Sequence, residues 1–266
     1  MLYSGEEDRA DFELPIGQIS VRVRSSPRRS RENEDAAAVI PIGDDGIVLA
    51  VADGVGGAPG GRDAARAVLS SAADAITKNG AATVQPAIVG ALERANAELL
   101  SGGLGSAATF AAAAIMADSV HTYHVGDSEI LIVGQRGKVE HRIVPHSPTG
   151  FAVQAGILNQ DDALHHDFRH ILLNVVGTEH MKIEIEGAIA LKQRDTVLVA
   201  TDGVLDNLYL GEIIEVIRCG ALSSSADALI EQASARMTGW DAKLPSKPDD
   251  IAVVMFRPHV GRRLTE

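Results

Sequence analysis

Asp53, Asp127 and Asp202 each close a short apolar run, in Val51-Ala52-Asp53-Gly54-Val55-Gly56-Gly57, Val125-Gly126-Asp127-Ser128 and Val199-Ala200-Thr201-Asp202-Gly203. Asp249 and Asp250 precede a fourth apolar run at Ile251, and Glu34 and Asp35 precede a fifth at Ala36. A carboxylate at the edge of a buried strand costs free energy unless something compensates its charge. Taken singly, each placement has an ordinary reading. Asp-Gly after a strand is a common turn, Asp127-Ser128 can be a turn or a cap, and Glu34-Asp35 beside arginines can be a surface ion pair. Their joint occurrence points instead to convergence on shared cations. Oxygen donors of this kind suit Mg²⁺ or Mn²⁺ rather than zinc. Gly54 lets the backbone approach closely enough for its carbonyl to be a ligand, and Gly203 permits a tight turn after Asp202.

Such acids meet only if the strands carrying them end at one place. Ile16, Ile19, Val21 and Val23 space a strand over 16–23, and 36–42 and 47–52 read as buried strands joined by a turn at 43–46. Apolar spacing predicts helices over 64–78 and 84–100, the second stopped by Ser101-Gly102-Gly103. Alanine favours helix, yet 109–116 lies between a glycine turn and another strand and reads as a small-residue buried strand. Further strands are expected at 120–125, 130–133, 138–144, 182–191, 196–200 and 251–256, with helices at 210–219 and 226–237. Residues 146–169 show no period and carry Pro148, Gly150, Gly156, His165 and His166, which predicts a functional flap. Residues 1–12 and 259–266 read as loosely ordered tails. This order lacks the strict alternation of a doubly wound sheet. It suits an α+β fold of two packed antiparallel sheets with helices outside, without an internal repeat or a long linker.

The chain has 266 residues, of which 45% are hydrophobic and only 3% aromatic. The core must therefore be built from Ala, Val, Leu and Ile, and a stacking surface for single-stranded nucleic acid is not expected. The net charge of −12 argues against non-specific nucleic-acid binding. An acidic protein that handles phosphate esters also needs cations to offset its field. A single cysteine, Cys219, leaves neither an intrachain disulfide nor a cysteine-based zinc site and suits a reducing compartment. The N-terminus lacks a signal-like apolar core, and the longest apolar run, 111–117, is mostly alanine. A cytoplasmic monomer without membrane contact is the expectation.

In this order the motifs resemble those of the PPM, or 2C-type, protein phosphatases, over 31–256. Arg31-Glu32-Asn33-Glu34-Asp35 resembles the first acidic motif, 51–57 the Asp-Gly-x-Gly-Gly motif, and Gly105-Ser106-Ala107-Ala108-Thr109 the small-residue segment. Val125-Gly126-Asp127-Ser128 resembles Gly-Asp-Ser, Thr201-Asp202-Gly203-Val204-Leu205-Asp206 the Ser/Thr-Asp-Gly motif, and Lys247-Pro248-Asp249-Asp250-Ile251 the closing Asp-Asn/Asp-Ile motif. Each is weak alone; all six in order are specific. The resemblance implies an α-β-β-α sandwich in a PPM-type domain over 13–258, with two or three Mg²⁺ or Mn²⁺ ions between the sheets at one end. It implies that Asp53 bridges two metals, that Asp202 and Asp249 hold the first, and that Glu34 and the Gly54 carbonyl hold the second. It gives Asp35 the role of orienting a metal-bound water, and Asp127 with Asp202 a third, weaker site. The family's phosphate-binding arginine falls among Arg28, Arg29 and Arg31, with Arg31 favoured. Val55 stands where animal members often carry a histidine that can serve as general acid. The leaving group would then take its proton from water or from a flap histidine such as His146, a residue more often simply solvated in a loop.

The implied activity is hydrolysis of phosphoserine and phosphothreonine in proteins by a hydroxide bridging two cations about 4 Å apart, with no phosphoenzyme. Substrates would be phosphoproteins, including a Ser/Thr kinase or its targets. Three other readings compete. One is a PPM-like scaffold without activity, although every expected acid is present. The second is a hydrolase of small phosphate esters, although 56–61 is glycine-rich without the Gly-Lys-Ser/Thr close of a nucleotide-binding loop. The third is a regulator whose flap docks a kinase or anti-sigma partner.

Overall fold

The structure, a computed structural model, describes residues 1–28, 31–43, 46–55, 60–79, 83–239, 241 and 243–259. Its strands are β1 Leu2–Tyr3, β2 Glu7–Leu14, β3 Gly17–Arg24, β4 Asp35–Ile42, β5 Gly46–Asp53, β6 Phe110–Met116, β7 Ser119–Val125, β8 Glu129–Val133, β9 Val139–Arg142, β10 Glu184–Ala190, β11 Thr196–Ala200 and β12 Ile251–Pro258. Its helices are α1 Gly61–Asn79, α2 Val84–Ser101, α3 Pro148–Gln154, α4 Gln160–Ala163, α5 Asp202–Leu205, α6 Leu210–Ile217 and α7 Leu222–Thr238. Among the described residues the strands form two six-stranded sheets, ordered β1-β4-β5-β6-β7-β10 and β2-β3-β12-β11-β8-β9. Every pairing is antiparallel.

Alternation along the central strands explains the layering, because successive side chains leave a strand on opposite faces. In β5, Val48, Ala50 and Ala52 pack with α1 and α2, while Ile47, Leu49 and Val51 meet the other sheet. In β12, Ala252, Val254 and Phe256 face the first sheet, while Ile251, Val253 and Met255 pack under α5, α6 and α7. Both faces of each sheet are thus covered, which is why these strands read as unbroken apolar runs. The result is the expected α-β-β-α sandwich with three apolar layers. The alanine-rich run is β6, buried on both faces, as expected for residues small enough to let sheet and helix approach closely.

One expectation is overturned. Residues 1–12 are not a tail: β1 pairs with β4 and β2 pairs with β3 along its whole length, from Glu7 opposite Arg24 to Leu14 opposite Gly17. Ala10, Phe12 and Leu14 pack against the layer between the sheets, while the acids alternating with them face outward. An edge strand needs only one apolar face, so the charges concealed the period. The segment expected as a flap, 146–169, holds two short helices, α3 and α4. Ser147 caps α3, accepting the Gly150 N–H at 3.0 Å, and Asn159 caps α4, accepting the Asp162 N–H at 2.8 Å. These helices are too short to show a helical period. The proposed tail at 259–266 lies outside the described residues apart from His259.

Candidate active site

Strand register brings the acids to one end of the sandwich. Asp35, the first residue of β4, pairs directly with Asp53, the last of β5. In the other sheet Ala200 pairs with both Val253 and Glu129, so Asp202 and Asp127 lie just beyond the same end, beside Asp249 and Asp250. Thr201 fastens the two sheets there. Its hydroxyl donates to Asp35 Oδ2 at 2.6 Å and accepts the Ala252 N–H at 2.9 Å. Two glycines make the close approaches possible. A Cβ on Gly54 would sit 2.3 Å from the Gly61 backbone, and one on Gly203 would sit 1.9 Å from the Asp250 carbonyl oxygen. Gly126, at φ +108°, lies against Thr109, whose hydroxyl accepts the Asp53 N–H at 2.9 Å and meets the Ser128 hydroxyl at 2.7 Å.

The carboxylates repel one another strongly. Burial raises the Asp53 pKa well above the ordinary carboxylate range, and Asp35, Asp202, Asp249 and Asp127 raise it further. Burial also raises Asp35, against the Thr201 hydrogen bond and with the help of Asp249, Asp250 and Asp202. Asp127 is raised by burial and by Asp202, while Lys247 pulls it back. Among the described residues, Asp127 Oδ1 and Asp202 Oδ1 are buried without a hydrogen-bond partner. Buried, mutually repelling oxygens of this kind fit a divalent cation, which would satisfy them and reverse the local field. Also among the described residues, no three His, Cys, Asp or Glu side chains are already closed into a metal-binding group. The acids face one another, and Lys247 engages Asp202, Asp206 and Asp249.

A cavity of about 200 Å³ adjoins this end, lined by Asp127, Asp202 and Asp206 together with residues of α3 and α4 and Arg169. Arg142 also lines it, gripping Glu129 through two bonds of 2.5 and 2.7 Å and reaching Gln160 at 2.5 Å. Arg169 donates to Leu164 O and to Ser246 O, the latter at 3.0 Å, which ties the flap to the segment before Asp249.

A profile of the protein phosphatase 2C family matches residues 24–227. The chain belongs to the protein phosphatase 2C family. It is a protein serine/threonine phosphatase. Relatives named serine/threonine phosphatase stp from Listeria innocua and Listeria monocytogenes are each 28% identical over 222 residues, covering 78% of this chain and 86% of theirs. In fold it is similar to the Streptococcus agalactiae serine/threonine phosphatase, with TM-score 0.78, 24% identity and coverage of 91% and 99%. Stp1 from Staphylococcus aureus superposes with TM-score 0.81 at 18% identity, covering 95% of this phosphatase and all of that chain.

Of the site residues expected from the sequence, the structure brings Asp35, Asp53, Asp127, Asp202 and Asp249 within mutual electrostatic reach. Glu34 is buried beside them, its Oε1 facing Gly61 on α1, and Gly54 follows Asp53. Arg31 is exposed in the segment leading to Glu34. Arg28 is exposed and donates to Thr238 O at 3.1 Å, and Arg29, Gly56 and Gly57 lie outside the described residues.

His146 is neither a solvated loop residue nor poised at the acids. It is buried and stacks on His124, with ring centroids 4.3 Å apart, and its Nδ1 accepts the Gly126 N–H at 3.1 Å. It supports the turn that carries Asp127. His165 and His166 are exposed.

Three structural contributors were not recognised in the sequence. Asp250 accepts the N–H groups of Ser26 and Glu34 at 2.8 and 3.0 Å and so places Glu34. Asn207 follows the motif at 201–206 and Lys247 opens the one at 247–251; nothing in their spacing announces that they meet.

His124 yields a pH prediction for the phosphatase. Burial, aided by His146, lowers its pKa to about 4. An unfolded histidine titrates near ~6.5. Between those values the unfolded chain binds a proton that the folded chain does not, so acidification removes stability. From pH 7 to pH 5 the loss is ~2 kcal/mol from this residue. Urea unfolding at both pH values should show His124→Gln losing that much less than the wild type. Equal losses would mean that His124 is not held neutral.

Proposed function

We propose that this phosphatase hydrolyses phosphoseryl and phosphothreonyl proteins with two divalent cations, Mg²⁺ or Mn²⁺, held between the sheets. Asp53 would contact both ions, Asp202 and Asp249 one, and Glu34 with the Gly54 carbonyl the other. Bound there, two cations would supply a water acidic enough to attack phosphorus at neutral pH and would offset the charge of the phosphate. A structural neighbour, the catalytic domain of the serine/threonine protein phosphatase PstP, was solved in complex with two manganese ions, at 20% identity and TM-score 0.71.

The chain's own residues divide the remaining work. Asp35, fixed by the Thr201 hydroxyl, is the acceptor we assign to orient the attacking water. Arg31 is the guanidinium assigned to phosphate, because a planar fork can engage two phosphate oxygens at once. It stands exposed just ahead of Glu34, free to meet a protein-bound ester. We assign the leaving oxygen's proton to water, because His146 is buried under the Asp127 turn and does not line the cavity beside the acids. Among the described residues no helix is long and apolar enough to cross a membrane. The free, exposed Cys219 is in keeping with the reducing, cytoplasmic setting we assign; a monomer acting on a Ser/Thr kinase or its targets completes the proposal.

The observation that carries this reading is the set of mutually raised carboxyls at Asp53, Asp35 and Asp127 beside partnerless buried oxygens. The test is one assay offering a phosphothreonine peptide and nucleotides side by side, with Mn²⁺ present. Turnover of the peptide well above that of the nucleotides is expected. A preference for nucleotides would move the substrate to small phosphate esters.

A further inference from the structure

The cavity beside the acids has a carbon-rich lining, to which Ile143, Pro145, Val153, Ala163, Leu164 and Leu205 contribute. Most of its polar groups are already engaged. Arg142 is held by Glu129 and Gln160. The Ser147 hydroxyl accepts the Gly150 N–H and meets the Thr149 hydroxyl at 3.2 Å. Arg169 donates to the carbonyls of Leu164 and Ser246, and Asp206 accepts from Lys247 at 2.8 Å. Asp127 and Asp202, which also line the cavity, belong to the candidate cation site.

Size limits what can enter. The cavity measures about 200 Å³. Pockets that enclose a whole drug-sized ligand span ~300–1,000 Å³, whereas an apolar void of ~150 Å³ admits a benzene-sized group. The space therefore suits one side chain of leucine or methionine size. Position points to where that side chain comes from. Asp202 lines the cavity together with exposed Gln154, so the space is continuous with the cation site and reached from solvent. A protein that presents its phosphate to cations on Asp202 brings its neighbouring residues here. Charge is unwelcome in this place. Four carboxylates line the cavity against two guanidiniums, which repels an acidic side chain. A basic one would meet the cations those carboxylates hold. An apolar side chain gains by leaving water for the carbon lining.

We propose that this cavity is a specificity subsite for an uncharged, apolar side chain close to the phosphorylated residue. The phosphatase then favours phosphoproteins with a leucine- or methionine-sized residue beside the phosphosite. This rests on the phosphoprotein reading above and names the local sequence that such a substrate would carry. Val153 on α3 and Ala163 on α4 are the specificity-determining positions, because enlarging either one fills the space without altering a carboxylate.

The experiment compares a phosphothreonine peptide flanked by alanines with peptides in which one leucine is moved position by position along either flank, all with Mn²⁺. In wild type, leucine at one position or more should raise kcat/KM about tenfold over the alanine peptide, the discrimination a few buried methylenes give. The gain should lie mainly in KM. Aspartate or lysine at that position should bring no gain. Ala163→Phe should abolish the leucine preference while leaving the alanine peptide's kcat/KM unchanged. Val153→Phe should do the same, and decides if Ala163→Phe does not fold. A wild type that treats leucine and alanine alike at every position, or that prefers a charged residue, would overturn the inference and leave phosphopeptide hydrolysis standing. A leucine preference that survives in a folded, filled variant would also overturn it. If no phosphopeptide is hydrolysed, the phosphoprotein reading itself fails, and this inference with it.

Discussion

Asp53→Asn lowers phosphopeptide turnover by about three orders of magnitude or more, because it removes the carboxylate assigned to both cations and with it several kcal/mol of transition-state stabilisation. The same substitution leaves the metal-free protein at least as stable as the wild type at pH 7.5. Linkage fixes that sign. The folded pKa of Asp53 is raised above the unfolded value, so the folded carboxyl contributes stability below the unfolded pKa that is lost as pH rises through the folded pKa. At pH 7.5, well above the ordinary carboxylate range, placing the Asp53 carboxyl in this site costs the metal-free fold free energy, and a neutral amide avoids that cost. Thermal melts without metal and initial rates with Mn²⁺, on the same preparations, check both halves. A near-wild-type rate would remove Asp53 from the site. A large fall in melting temperature would mean that Asp53 serves the fold rather than the chemistry.

Gly203→Ala is the substitution expected to damage the scaffold most. Its Cβ would lie 1.9 Å from the Asp250 carbonyl oxygen and 3.0 Å from both Asp250 C and Ile251 Cγ1. The obstruction is backbone, which cannot rotate aside as a flexible side chain can. Forcing α5 away from the start of β12 should cost ~3 kcal/mol or more, equivalent to ~6–12 °C in melting temperature for a chain of this size. It should also separate Asp202 from Asp249 and weaken manganese binding. Glycines without close neighbours give the control: Gly211 has nothing within 4 Å, and Gly211→Ala should leave melting and metal binding unchanged. A stable, metal-competent Gly203→Ala would show that the Asp202 turn has slack the structure does not display.

Much of this molecule was legible because its chemistry and its burial share one pattern. Strands such as β5 and β12 are buried on both faces, so they appear as short unbroken apolar runs, and an aspartate at the end of each is conspicuous. Their order excluded a doubly wound sheet and matched the sandwich. The motif sequence from Glu34 to Asp250 predicted which acids would meet, and register accounts for it, with Asp35 opposite Asp53 as the most direct case.

What the sequence concealed depends on contacts between distant, individually ordinary residues. β2 was hidden because an edge strand shows one wet face, and Glu7, Arg9, Asp11 and Glu13 gave it the look of a tail. Arg22, a charged residue inside the strand expected over 16–23, is buried in ion pairs to Asp11 at 3.1 Å and Asp227 at 2.5 Å, linking β2 to α7. His146 looked like a flap residue able to move a proton, yet its partner His124 lies on β7 and only the fold stacks them. Lys247 was part of a motif without a role, because its meaning lies in Asn207, forty positions away.

The most direct test of the central claim is the phosphopeptide hydrolysis rate of the purified chain, stripped with EDTA and then titrated with Mn²⁺. The account predicts no turnover above background after stripping, recovery that saturates with added Mn²⁺, and no recovery in Asp53→Asn at any concentration. An undiminished rate in EDTA would contradict it, because the carboxylates of Asp53, Asp202 and Asp249 would then be working without the cations this account requires.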